Sequence, residues 1–296
     1  MKFLPSLKNP FSTHSRRLLW AISLAATLAL CLPVDALVPQ LDTASIMLSQ
    51  SPLAVQKTIQ ENVGNGKVTA MSKSEEDGLI HYDVDFTKDG IYRDLRVTED
   101  GTLVSIQVAL AETPPAVQKA IQAELGSGKL GDIEKTFEGA ETNYEVEITT
   151  KDGRDSLVTL SEAGALVEIE IALSEAPAPV QKTIAEQMGN GTLTTLTKII
   201  DQPVTYEVNF TKDGKEGAVT VAATGALLSV QITLEQVPPV AMKGIQEKVG
   251  NGKIISVWQS YEKREKVLPF KVESVKDGKA FNFSIGPKGR FLGMDE

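Results

Sequence analysis

The side chains that could do chemistry in this chain are few and mostly acidic. Asp83 and Asp85, Glu145 and Glu147, and Glu168 and Glu170 are pairs two residues apart. In a strand that spacing places both carboxylates on one face. Such pairs could ligate calcium, a hard cation that takes several oxygen ligands, or act as the acid and base of glycoside hydrolysis. The D-x-D-x-D-G loop spacing is missing, and Lys88 and Lys151 adjoin the turn residues Asp89 and Asp152. We therefore read the pairs as a solvated strand face, where burial does not perturb a carboxyl. His81 is the single histidine beyond residue 36 and reads as a surface residue, and Cys31, the lone cysteine, precedes residue 36. Without Cys31 there is no disulfide, thiolate chemistry or Cys/His metal cluster. No catalytic residue, metal ligand or cofactor is expected. Triplets such as Gly64-Asn65-Gly66 follow predicted helices, whereas phosphate cradles precede them, so these are turn glycines.

One cluster stands apart. Trp258, the single tryptophan beyond residue 36, is followed by Tyr261, Lys263 and Arg264. It occupies a position held by the polar residues Ser72, Glu134 and Thr197 elsewhere in the chain. An aromatic at a polar position beside a basic turn has the character of an interface anchor, or of a terminal unit closing its own core. Residues 239–296 hold 11 basic and 7 acidic residues, against 15 and 31 in residues 37–238. One end of the chain is thus cationic and the rest strongly acidic.

The elements that must position these residues come as a repeat. Pro52, Pro114, Pro177 and Pro238 recur at spacings of 62, 63 and 61 residues. Each opens a predicted helix, with Ser51 and Thr113 as expected N-caps. Apolar stripes follow at Val55, Ile59 and Val63, and at their counterparts Val117, Ile121, Leu125; Val180, Ile184, Met188; and Ala241, Ile245, Val249. Small residues between them, Thr58, Ala120, Thr183 and Gly244, permit close packing on a sheet. Gly64, Gly126, Gly189 and Gly250 terminate the helices. Four strand patterns then follow. The second alternates cleanly, as in Tyr206-Glu207-Val208-Asn209-Phe210, and stops at Asp213-Gly214. The first strand is irregular at Val68 and Met71, which suggests a bulge. The fourth is expected to turn Val104, Ile106 and Val108 inward. The fold class is α+β: four tandem repeats, each one helix packed on a four-stranded antiparallel sheet. The expected division is a signal peptide at 1–36, a leader without periodicity at 37–50, and repeats at 51–112, 113–175, 176–236 and 237–296.

Val117-Gln118-Lys119-Ala120-Ile121, the following Gly128-Lys129, and Tyr144-Glu145-Val146-Glu147-Ile148 running to Asp152-Gly153 resemble the PepSY-like repeats related to the β-lactamase inhibitor protein family. The resemblance covers residues 50–296. It implies an exported, non-enzymatic domain that contacts another protein, and it carries no catalytic site across. The chain departs from the inhibitor in lacking its cysteines and in having four units instead of two, which argues against β-lactamase inhibition.

Lys2, Lys8, Arg16 and Arg17 precede the apolar run Leu18–Leu32, with Ala36 available to a signal peptidase. This run of fifteen residues falls short of the roughly 20 that span a bilayer. The expected product is periplasmic or secreted, with no stable membrane span. Removing that segment leaves 26 basic against 38 acidic residues, a net charge of −12, which disfavours nucleic acid as a partner. The function expected is a protein-binding or inhibitory module whose partner is another extracytoplasmic protein. A structural envelope spacer without a dedicated ligand is the alternative.

Overall fold

The computed structural model describes residues 44–76, 78–262 and 267–295. The segment read as a signal peptide, residues 1–36, together with Lys263 and Arg264, lies outside the described residues. The fold is α+β: four helices of 11 residues lie on a 17-stranded antiparallel sheet. A short strand β1 (Ala44–Ser45) comes first. Helix α1 (Leu53–Val63) is followed by β2 (Lys67–Glu76), β3 (Leu79–Lys88), β4 (Ile91–Thr98) and β5 (Leu103–Gln107). The same order recurs with α2 (Pro115–Leu125), β6 (Lys129–Glu138), β7 (Glu141–Thr149), β8 (Asp155–Ser161) and β9 (Leu166–Glu170). A third group holds α3 (Ala178–Met188), β10 (Thr192–Ile199), β11 (Thr205–Lys212), β12 (Lys215–Ala222) and β13 (Leu227–Ile232). The fourth holds α4 (Pro239–Val249), β14 (Lys253–Ser260), β15 (Phe270–Lys276), β16 (Lys279–Ile285) and β17 (Phe291–Asp295).

The helices form where the apolar stripe runs. Val55, Ile59 and Val63 are each at most 4 % exposed, and Val180, Ile184, Ala241 and Ile245 are fully buried. Each fully buried aliphatic contributes about 1.5–3 kcal/mol relative to exposure. The helix starts differ from expectation. The prolines themselves are the N-caps, and the Ser51 and Thr113 hydroxyls donate backwards to the carbonyls of Leu48 and Leu110 at 2.8 and 2.9 Å. Those carbonyls belong to a 3-10 turn before each helix, which holds the hydroxyl away from the helix N–H groups. Gln56, Gln118 and Gln181 reach back to the residue before the proline, at 2.7, 2.8 and 2.7 Å.

Each helix meets the turn between the third and fourth strands of its group at very short range. A Cβ placed on Gly164 would lie 2.5 Å from the Ala116 carbonyl oxygen, and one on Gly244 would lie 2.3 Å from the Gly289 carbonyl oxygen. Thr58 and Thr183 fill the position of Gly244 with a hydroxyl that donates to Gly101 and Gly225 at 2.6 Å. The small residues thus serve contact with a turn as well as with the sheet.

Pairing follows chain order from β1 to β17, and groups join where a fourth strand meets the next first strand: β5 with β6, β9 with β10, β13 with β14. The first strands carry bulges, between Val68 and Ala70 in β2 and at the matching places in β6, β10 and β14. The fourth strands are bulged as well. Val97 pairs with Leu103 and Arg96 with Ser105, so Val104 is the extra residue and Leu103 joins Ile106 on the helix side. This corrects the expected inward set, which strict alternation from Val104 had assigned.

The sheet is continuous but the core is not. Four apolar clusters form, one under each helix. Adjacent clusters are nonetheless interlocked, because the end of each fourth strand packs into the next cluster: Val108 and Leu110 under α2, Ile171 and Leu173 under α3, Ile232 under α4. Ile46 and Leu48 do the same under α1. Residues 44–50 are therefore not a featureless leader; they supply α1 with the strand end and 3-10 turn that every later helix receives from the preceding group.

Candidate functional site

The face of the sheet opposite the helices is polar and, among the described residues, carries no helix layer. Cross-strand partners share a face, so the register assigns its members. In the first group Arg96 lies opposite Asp83, donates to it at 2.7 Å and to Glu76 at 3.0 Å, while Ser74 donates to the other Asp83 oxygen at 2.9 Å. In the second group the face is acidic: Glu134 and Glu145 are direct cross-strand partners, and Glu168 faces Thr159. In the third Glu207 lies between Thr197 and Thr220, and Ser229 donates to Thr220 at 2.9 Å.

Two expectations about this face are corrected. Glu145 is 3 % and Glu168 4 % exposed, so these carboxylates are not a solvated fringe. Glu147 is itself exposed, yet partial desolvation raises its carboxyl above the usual range, helped by the charges of Asp132, Glu134 and Asp155. Burial also raises Glu170, partly offset by the Leu157 N–H and by Arg154. His81, expected at the surface, is 8 % exposed, because it sits inside the sheet between Ser74 of β2 and Thr98 of β4. Among the described residues no group of three or more His, Cys, Asp or Glu side chains could hold a metal ion.

The sheet bends toward this face. A Cβ placed on Gly78, in the turn between β2 and β3, would lie 3.6 Å from both Lys253 and Val275 of the fourth group. Val275 is 5 % exposed and lies opposite Ala280, on the helix-free side. The matching residues in the other groups are Thr87, Thr149 and Thr211. The exchange of threonine for valine was the sequence signal for a contact that repeat reasoning missed.

Trp258 stands on the same face, between Gln231 and Lys271. It is half-buried and outside the apolar cluster under α4. Its Nε1–H donates to Ser256 Oγ at 2.9 Å, and Ser256 Oγ donates to the Glu273 carboxylate at 2.6 Å. This chain holds the indole edge in one orientation on the sheet. Tyr261, just past β14, is 48 % exposed and tied to Leu228 through its backbone N–H at 2.8 Å. The structure thus joins Trp258 to Ser256, Glu273 and Lys271. The bulge between Ile254 and Ser256 hid that grouping, since it shifts every later side chain to the other face.

Chemically, the face presents hydroxyls, carboxylates and an oriented indole spread over the sheet. No protein-family model and no curated protein matches this chain. Solved structures similar to part of it include a BLIP-like protein of Bacteroides fragilis, 18 % identical, covering 40 % of this chain and 85 % of its own, with a TM-score of 0.31. A DUF2874 family protein of Bacteroides uniformis is 18 % identical and covers 44 % of this chain and 95 % of its own, with a TM-score of 0.32. Another, of Bacteroides vulgatus and described as a candidate periplasmic protein, is 19 % identical over 44 % of this chain and 98 % of its own, with a TM-score of 0.30. Among the described residues no helix is long and apolar enough to cross a membrane.

Proposed function

We propose that this is an exported, non-catalytic protein-binding module of four tandem PepSY-like or BLIP-like repeats, and that it engages another extracytoplasmic protein with the helix-free face of its sheet. The observation that carries the reading is Trp258: an indole outside the core, held by Ser256 and Glu273, on a face that no helix of the described residues covers. Aromatic residues of this kind dominate binding energy at protein interfaces. Tyr261 extends the surface, and Lys263 and Arg264 follow it in the sequence with positive charge. The basic n-region and apolar run before Ala36 support export.

The test is affinity capture of the chain without residues 1–36 from the secreted and periplasmic fractions of its own cells. A binding module retains one partner at fixed stoichiometry, and Trp258→Ala releases it while the melting temperature changes little. A spacer without a ligand sediments with the envelope whether or not Trp258 is present.

A further inference from the structure

We propose that the far edge of β17, with the depression beside it, is a second docking surface that takes an acidic, extended segment of another protein as an added strand. The molecule itself provides the template. Each inner fourth strand has the next group's first strand along its far edge. Beside two of these junctions a cation from the third-strand end pairs with a carboxylate of the following 3-10 turn, Arg93 with Glu112 at 2.8 Å and Arg154 with Glu175 at 3.0 Å. Among the described residues β17 pairs with β16 alone, which leaves its far edge without a partner strand. An open depression of about 580 Å³ lies there, lined by Lys248, Lys276, Asp277, Lys279, Phe281 and Met294.

The apolar residues at this edge are enlarged and uncovered. Leu103, Leu166 and Leu227 are partly buried and pack on their clusters, whereas Phe291 at the same position is 43 % exposed. Ile106, Ile169 and Val230 likewise pack inward, and their counterpart Met294 is 47 % exposed. Lys248 lies 4.2 Å above the Phe291 ring, so the rim combines cation and aromatic surface. Unpaired strand edges accept further strands readily, and three lysines against one aspartate select an acidic one. A second copy of this chain is the poorer fit, since β17 set on its own copy would bring the same lysines together, and β1 already covers Ser72 and Lys73 of β2.

The probe is a labelled peptide copying residues 129–138, the strand that β5 accepts within the molecule, carrying Lys129→Glu and Lys135→Glu. It is titrated into the full chain by fluorescence anisotropy at low salt. We expect saturable binding, at least tenfold weaker with Lys276→Glu and Lys279→Glu in the protein and weaker again at high salt. Absence of saturable binding overturns the proposal, as does affinity unmoved by the charge reversals. Sedimentation showing a concentration-dependent dimer that the same reversals abolish overturns it too, by making a second copy the occupant. Because Trp258 is outside this surface, failure here leaves the proposed function standing, and Trp258→Ala should not change peptide affinity.

Discussion

The second and fourth groups of strands share one scaffold and differ in what they display. Both bury their helix stripe, with Val117 and Ile121 in one and Ala241 and Ile245 in the other all at most 1 % exposed. On the helix-free side the second presents Glu134, Glu145 and Glu168, and the fourth presents Trp258, Lys271 and Glu273. The second is flanked on both sides by paired strands, whereas β17 has a free edge among the described residues. The lesson is that the helix face, repeated with little change, maintains the fold, and that the opposite face and the edge are free to diverge.

The largest effects should come from the shared part. Ile121→Ala and Ile245→Ala each remove a fully buried side chain and should cost about 2–5 kcal/mol in urea unfolding. The two should differ in shape: a weakened inner group divides the array, while a weakened terminal group frays alone in a separate early transition. Identical single transitions for both would mean that the four cores behave as one body.

Next in size is the junction. Glu112→Gln leaves the Arg93 guanidinium, whose side chain is 8 % exposed, without its charged partner, and should cost about 1–3 kcal/mol. The fourth group offers a contrast, because Lys276→Glu and Lys279→Glu at the uncovered edge should leave stability nearly unchanged. Equal losses at both places would remove the distinction between a filled and an open junction.

The smallest effect is electrostatic. Burial holds the Glu170 carboxyl above its ordinary value, so the folded chain keeps that proton to higher pH than the unfolded chain. Stability is then lost as pH rises from the ordinary glutamate range of about 4.3 through the folded pKa, and the loss persists at pH 7. Glu170→Gln keeps an acceptor for the Leu157 N–H and should raise the melting temperature at pH 7 by about 1–2 °C, the scale of a fraction of a kcal/mol. The gain should close near pH 4. A lower melting temperature at pH 7 would mean that attraction to Arg154 outweighs burial.

Periodicity made much of this legible. The helix stripes, the alternation through Tyr82, Val84 and Phe86, and the glycines that end the helices are local patterns, and the structure has them as read. What escaped was set by contacts between distant segments. The extra residue Val104 reverses a face without leaving a mark in composition. The burial of Glu145 and His81 depends on neighbours across strands, and the completion of the first group by Ile46 and Leu48 depends on a segment with no period of its own. Of the candidate site, Trp258 was found by its departure from the repeat, while Ser256 and Glu273, which orient it, could not be placed until the bulge was seen.

The contact surface itself is best tested by photo-crosslinking in the cells that make the protein, with a benzophenone side chain placed at Trp258 and, as control, at Lys182 on the exposed side of α3. The account predicts one discrete adduct from position 258 and none from 182. No adduct at 258, or the same adduct from both positions, would contradict it.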